Sequence, residues 1–259
     1  MHIVTFTRST PDTAARLTVD ADGSVSQGDA AMVVNPWDEY SLEECIAQAE
    51  DQGGTATVIA IGPEVHEEAL RQALAMGVNA ALRIDDPELA TADSIGWATV
   101  AAAAIPRLDE VDLVIFGKEA VDVGSDQHQI QTARLLGWPF IGAVSRILEL
   151  DAARGRLRVE RSLEQGKQVL DCRLPAVISV LKDVNEPRYP SFMGIRRASR
   201  ASIPLWTLAE LAAELQKPLS RQLKLEEPPQ RLAEAEMLSG TPAEQAGALI
   251  ERLEKEQVL

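Results

Sequence analysis

Through its first 180 residues the chain alternates short apolar, β-rich runs with helix-patterned segments, and this constrains the fold more than any other feature. Residues 3–6, 55–61, 79–84, 111–116 and 175–180 read as buried strands bounded by polar or Gly/Pro residues. Between them, Ser41-Leu-Glu-Glu44 has the capping-box pattern and predicts a helix to about residue 50. Further helices are expected from Glu64 onward, over the alanine-rich 91–106, and over 127–136. Strands without polar alternation need cover on both faces. The fold class expected is therefore α/β, a mostly parallel twisted sheet with helices on both sides.

Local departures from that alternation are expected at several places. Residues 16–19 and 24–27 around Asp22-Gly23 suggest a small hairpin, and 147–150 with 156–160 a second, with 167–172 adding a strand. Residues 182–201 show no clear period. Asn-Glu-Pro, Tyr-Pro and Met-Gly punctuate them as a loop, with five basic residues against two acidic ones. Residues 218–240, with Pro218, Pro228 and Pro229, read as a linker. Thr241-Pro-Ala-Glu244 is a second capping box, with proline at the first helical position, opening a helix to about residue 256.

Charge and composition exclude several function classes. The net charge of −15 opposes general nucleic-acid binding and attraction to an anionic membrane. No stretch approaches the ~20 apolar residues of a membrane span, so no membrane insertion is expected. The start, MHIVTFTRST, reads as a first strand rather than a signal peptide. Two cysteines, Cys45 and Cys172, make no disulfide framework, and three scattered histidines make no metal site. A cytoplasmic setting is the simplest expectation.

No dinucleotide fingerprint, Walker loop, zincin motif or nucleophile elbow is present. In a doubly wound sheet, ligand sits beyond the carboxyl ends of the strands. Three loops qualify: 7–12, Gly62-Pro63, and the segment after Phe116. That last segment passes from strand into helix, and free N–H groups at a helix start suit an anion. Ser125 could add a hydroxyl there, although an ordinary capped loop fits the same pattern. Asn35 and Trp37, in Asn35-Pro-Trp-Asp38, could hold an aromatic base or simply form a turn packed on the core. Tyr189 and Phe192, in the basic stretch, suit either a partner hot spot or a fold-back onto their own domain.

Several segments in fixed order resemble the electron transfer flavoprotein β-subunit family. They are IVTFTRSTPDTAARLTVDADG, NPWDEYSLEE, ALRQALAMGVNAAL, GKEAVDVGSDQHQIQTARLLGWP, VERSLEQGKQVLDCRLPAVIS and NEPRYPSFMGIRRA. The resemblance implies a nucleotide-binding fold of the adenine nucleotide α-hydrolase-like type over 1–217. It implies a protruding recognition loop at 182–203, and a linker with an arm helix at 218–259 that docks on an α subunit. It implies an electron carrier rather than an enzyme, moving electrons from flavin-dependent dehydrogenases to an electron transfer flavoprotein-quinone oxidoreductase. FAD would sit mainly on the α subunit, with AMP held structurally in this chain. AMP would meet Thr5, Asn35, Pro36, Trp37, Asp38, Ile61, Gly62, Asp122, Val123, Gly124, Ser125, Asp126, Gln127, His128 and Gln129. Thr13 and Trp37 would lie near the flavin. Asn185, Glu186, Pro187, Arg188, Tyr189, Phe192 and Arg196 would meet the dehydrogenase, with Phe192 in place of the family's anchoring leucine.

The nucleotide loop departs from the family's D-D-D-[CS]-N-Q-T-G-Q. Here Asp126 stands for Asn, His128 for Thr and Gln129 for Gly. An added carboxylate opposes a phosphate, and loss of glycine restricts close backbone approach. Bifurcating relatives, which oxidise NADH, hold a second FAD in this pocket. Their D-G-D-T-A-Q-V version is absent. A free-standing nucleotide-binding α/β protein is the other alternative, and it has no need of the C-terminal third.

Overall fold

The computed structural model describes every residue except 21, 22, 24, 27, 125, 126, 221, 222, 228–236 and 259. These residues gather into two compact units, Met1–Lys224 and Leu225–Leu259. In the first, β1 (His2–Phe6) precedes β2 (Ser9–Pro11), β3 (Thr18–Val19), β4 (Val25–Ser26) and β5 (Met32–Val34). Helices and strands then alternate: α1 (Pro36–Asp51), β6 (Thr55–Ile61), α2 (Glu67–Met76), β7 (Ala80–Ile84), α3 (Ser94–Ala104), β8 (Leu113–Phe116) and α4 (Gln127–Leu136). Next come β9 (Phe140–Asp151), β10 (Arg156–Leu163), β11 (Gly166–Arg173), β12 (Ala176–Val180), α5 (Phe192–Ala198), β13 (Leu205–Trp206) and α6 (Leu208–Leu211). The second unit holds α7 (Pro242–Lys255).

Nine strands form one sheet in the order β11-β10-β9-β12-β8-β1-β6-β7-β13. Pairing is parallel from β9 to β13, while β10 and β11 join antiparallel at one edge. Period-2 alternation splits each central strand between two cores. Ile3, Leu113, Ile115 and Ile178 pack with α1 and α2, whereas Val4, Phe6, Val114, Phe116 and Val177 pack with α3 and α4. The expected α/β class with helices on both faces is what forms. The chain runs outward from β1 through β6 and β7, then crosses back to β8 on the other side of β1. The ends of β1 and β8 therefore flank a topological switch point, where such sheets open a crevice.

Three expectations are corrected. Helix α1 starts at Pro36, not Ser41: proline suits the first turn, and Asp38 and Glu39 complement its dipole. Ser41 is buried inside the helix, where its hydroxyl donates to the Asp38 carbonyl at 3.0 Å and accepts from Thr5 Oγ1 at 3.1 Å. Residues 182–201 are not all loop. Ser191 caps α5 by accepting the Gly194 N–H at 2.9 Å, so Met-Gly here lies inside a helix. A Cβ on Gly194 would come within 2.1 Å of the Ala75 carbonyl oxygen, so only glycine lets α5 press against α2. Finally, β9 begins at Phe140, earlier than the expected arm at 147, because its first residues pair with β12 and not with the hairpin.

The strands 18–19 and 25–26 do pair as a small hairpin, although turn residues 21, 22 and 24 lie outside the described residues. The first compact unit continues through Lys224 because Leu219 and Ser220 donate backbone N–H groups to Asp93, at 2.7 and 3.2 Å. Much of the proposed linker, 221–222 and 228–236, lies outside the described residues. The Thr241 capping box is present: Glu244 N–H reaches Thr241 Oγ1, and Thr241 N–H reaches Glu244 Oε2 at 2.7 Å. Along α7, Leu249 and Ile250 are about half exposed. No helix among the described residues is long and apolar enough to cross a membrane.

Candidate functional site

A cavity of about 1320 Å³ opens at the switch point. Phe6, Thr7 and Arg8 line it from the end of β1, and Phe116, Gly117, Glu119 and Ala120 from the end of β8. Opposite them stand the start of α3, with Asp93 and Trp97, the first turn of α4, and the strap from Lys217 to Ser220.

Asn35 knits the nearer wall. It makes no side-chain cap for α1. Its amide instead donates to the Glu119 carbonyl at 2.8 Å and accepts from Val121 N–H at 3.1 Å, tying α1 to the loop after β8. Gly117 is needed at that junction, since a Cβ there would sit 2.6 Å from the Trp37 carbonyl oxygen. Gln129, buried on α4, donates to the Gly117 and Lys118 carbonyls at 2.6 and 2.7 Å. The residue that replaces the family's glycine thus staples the same loop.

The lining is aromatic and polar together. Phe6 and Phe116 stack with centroids 4.8 Å apart, and His128 meets Phe116 edge-on at 5.4 Å. Asp38 is buried in the wall and accepts the Arg8 N–H at 3.2 Å. Burial pushes its carboxyl up to about 7, against the lowering pull of Asn35 and Arg8. A carboxyl that keeps its proton toward neutrality adds little repulsion toward an anion. Arg8 Nε is buried without a hydrogen-bond partner, and the Thr7 hydroxyl, also buried, adds to the groups that pull the Asp38 carboxyl down. At the strap, desolvation of Asp93 is outweighed by N–H groups of Leu219, Gly96, Ser220 and Ile95, which hold its carboxyl below the ordinary range.

Of the residues expected around a nucleotide, Asn35, Asp38, Ile61, Val123, Gln127, His128 and Gln129 line this cavity. Ser125 and Asp126 lie outside the described residues. Pro36, Trp37, Gly62, Asp122 and Gly124 neighbour lining residues without lining it themselves. Thr5 is buried, with its hydroxyl committed to Ser41. Trp37 carries Lys118 Nζ 4.9 Å over its ring. Thr13 sits in an exposed turn. Sequence reasoning placed Arg8 within the qualifying loop 7–12 without singling it out, and missed Phe6, Trp97 and the strap. The strand-end rule points to Phe6, but nothing local marks Trp97 or residues 217–220.

The second candidate surface is the segment from Asn185 to Ala198. Its base is clamped to α1. Arg188 pairs with Glu43 at 2.9 Å and with Glu50 at 3.0 Å, which raises its own basicity and lowers that of Glu50. Asn185 donates to the Tyr40 carbonyl at 3.1 Å and to Glu44 at 2.8 Å. Arg188 and Asn185 are thus fasteners of the segment. Beyond the clamp, Tyr189 is 95% and Phe192 83% exposed, with Met193 and Ile195 also exposed. Arg196 and Glu186 are exposed beside them and Pro187 is half-buried. Neither aromatic ring folds back onto its own domain.

A doubly wound α/β sheet with a polar-aromatic crevice at its switch point defines the class: proteins that take their ligand between the ends of parallel strands. Residues 23–211 match the electron transfer flavoprotein domain, and the chain belongs to the electron transfer flavoprotein β-subunit family. It is 31% identical over 259 residues to the electron transfer flavoprotein subunit beta of Bacillus subtilis, covering 99% of this chain and 98% of the relative. With the protein of the same name from Mycobacterium tuberculosis it shares 33% over 221 residues, 82% of this chain and 81% of the relative. With Protein FixA of Azotobacter vinelandii it shares 31% over 209 residues, 80% of this chain and 74% of the relative.

Proposed function

We propose that the chain works in the cytoplasm as the β half of a heterodimeric electron carrier. The α subunit holds most of the FAD, which supplies the redox chemistry when bound. Flavin-dependent dehydrogenases reduce it, and a membrane quinone oxidoreductase takes the electrons onward. This chain has two tasks: to hold AMP structurally in the switch-point cavity, and to dock the dehydrogenase. The apolar face of α7 is the part that grips the α subunit, since Leu249, Ile250 and Leu253 share one side of that helix.

The observation that carries the reading is the presentation of Phe192. A large apolar side chain stands in solvent on a segment that buried glutamates and a glycine contact hold rigid. Rigid, exposed aromatics are poor for solubility and well suited to a partner's pocket. The cavity fits AMP in its own chemistry, with aromatic walls for a base and the partnerless Arg8 Nε as a polar group. Co-purification with the α partner tests the proposal: one FAD and one AMP per heterodimer, reduced by a dehydrogenase, is the expected result. A colourless complex, or a flavin no dehydrogenase reduces, refutes it.

The cavity's volume favours one second reading. About 1320 Å³ exceeds the ~300–1,000 Å³ of ordinary small-ligand sites. It could accept a dinucleotide, as in an NADH-oxidising bifurcating flavoprotein. Two FAD per heterodimer would select that reading.

A further inference from the structure

Arg8 leaves β1 at the rim of the cavity, and its guanidinium is only partly used. Nη2 donates to Asp122 Oδ2 at 2.7 Å, while Nε, on the same edge of the guanidinium, is buried with no partner. That edge is a two-pronged donor shaped for an oxyanion, and a carboxylate oxygen here satisfies one prong. Asp122 belongs to the loop after β8, between the lining residues Ala120 and Val123. A few residues further along the chain α4 begins at Gln127, and N–H groups in a helix's first turn favour negative charge. Arg8 and Gln127, the first residue of that helix, line the same cavity. The second lining cation, Lys217, belongs to the strap.

We infer that Arg8 is the residue that selects a phosphorylated ligand, and that Asp122 is its internal competitor. A ligand phosphate takes the Nε/Nη2 edge in a bidentate pair and displaces Asp122, whose carboxylate turns to solvent. No bond is made or broken beyond hydrogen bonds. The exchange makes phosphate affinity a difference between two ion pairs, so the Asp122 carboxylate sets how tightly the phosphate is held. This rests on the proposal that the cavity takes an adenine nucleotide, and it assigns the discrimination between nucleotide and nucleoside to one side chain.

Isothermal titration of the full chain with AMP and with adenosine tests it. The wild-type protein is expected to prefer AMP. Arg8→Gln should weaken AMP ~10- to 100-fold, the range for losing a charge-assisted pair, with adenosine affinity unchanged. Arg8→Lys should recover part of the loss, because it restores charge without the fork. Asp122→Asn should tighten AMP several-fold and leave adenosine alone. A preference for AMP that survives Arg8→Gln overturns the assignment while the nucleotide reading stands. So does an AMP affinity that Asp122→Asn leaves unchanged or lowers, and this variant decides the matter should Arg8→Gln not fold. If the wild-type chain binds neither compound, the nucleotide reading falls and this assignment with it.

Discussion

Replacing Phe192 by alanine separates a docking residue from a core residue, because the two predict opposite losses. Phe192 is 83% exposed at the first position of α5. An aromatic side chain has ~150–250 Å² to bury, so the sixth of Phe192 that is covered amounts to ~30–40 Å². At ~25 cal/mol per Å² that is about 1 kcal/mol at most. Alanine's better helix propensity returns a few tenths of it. The melting temperature should therefore move by no more than ~3 °C. Phe116, 2% exposed in the core, sets the contrast, since truncating such a residue costs ~3–5 kcal/mol. The loss in Phe192→Ala should appear in docking. A hot spot of ~2 kcal/mol corresponds to a ~30-fold fall in the second-order rate of flavin reduction by the dehydrogenase. Stopped-flow reduction and thermal melting on the same heterodimer give both numbers, with flavin and AMP content as controls. A drop in melting temperature with normal transfer would refute the reasoning, as would an unchanged rate at unchanged stability.

Three further outcomes are expected. The folded protein keeps the Asp38 proton up to about pH 7, whereas an unfolded aspartate releases it near pH 4, so stability from this group is lost as pH rises through that window. Asp38→Asn should remove a penalty of up to about 4 kcal/mol at pH 8, and its melting-temperature gain over wild type should grow from pH 5 to pH 8; a pH-independent difference would contradict this. Burial holds the His66 imidazole down to about 4, which acts in the opposite sense as pH falls below 6.5, and comparison with wild type at each pH cancels it. Gly117→Ala must push the loop after β8 away from the Trp37 carbonyl, so it should lower the melting temperature and AMP affinity together; an AMP affinity that stays at the wild-type value would count against the cavity as the site. Deleting residues 238–259 should weaken association with the α subunit and leave the melting of Met1–Lys224 unchanged, which analytical ultracentrifugation and calorimetry measure separately.

The layered sheet was legible in the residue order because apolar strands and amphipathic helices are local patterns, each set by side-chain period. That residues after Phe116 line the crevice was legible for the same reason: they lie at a strand end that opens a helix. The capping box at Thr241 was read correctly, and the identical-looking one at Ser41 was not. The difference is tertiary. Pro36 can begin α1 five residues earlier because Asn35 is held by Glu119 and Val121, far along the chain. Met193-Gly194 reads as a breaker in sequence, yet Gly194 is in a helix because α2 needs it close. The resemblance implies Arg188 as a partner contact, and only the fold shows that Glu43 and Glu50, far along the chain, also pair with it. Sequence could state that Phe192 is large and apolar, but exposure is a property of what surrounds a side chain. Which strands lie beside β1, and hence where the crevice opens and which of Phe6, Arg8, Trp97 and Leu219 face one another across it, depends on contacts between distant segments. No local period encodes those contacts.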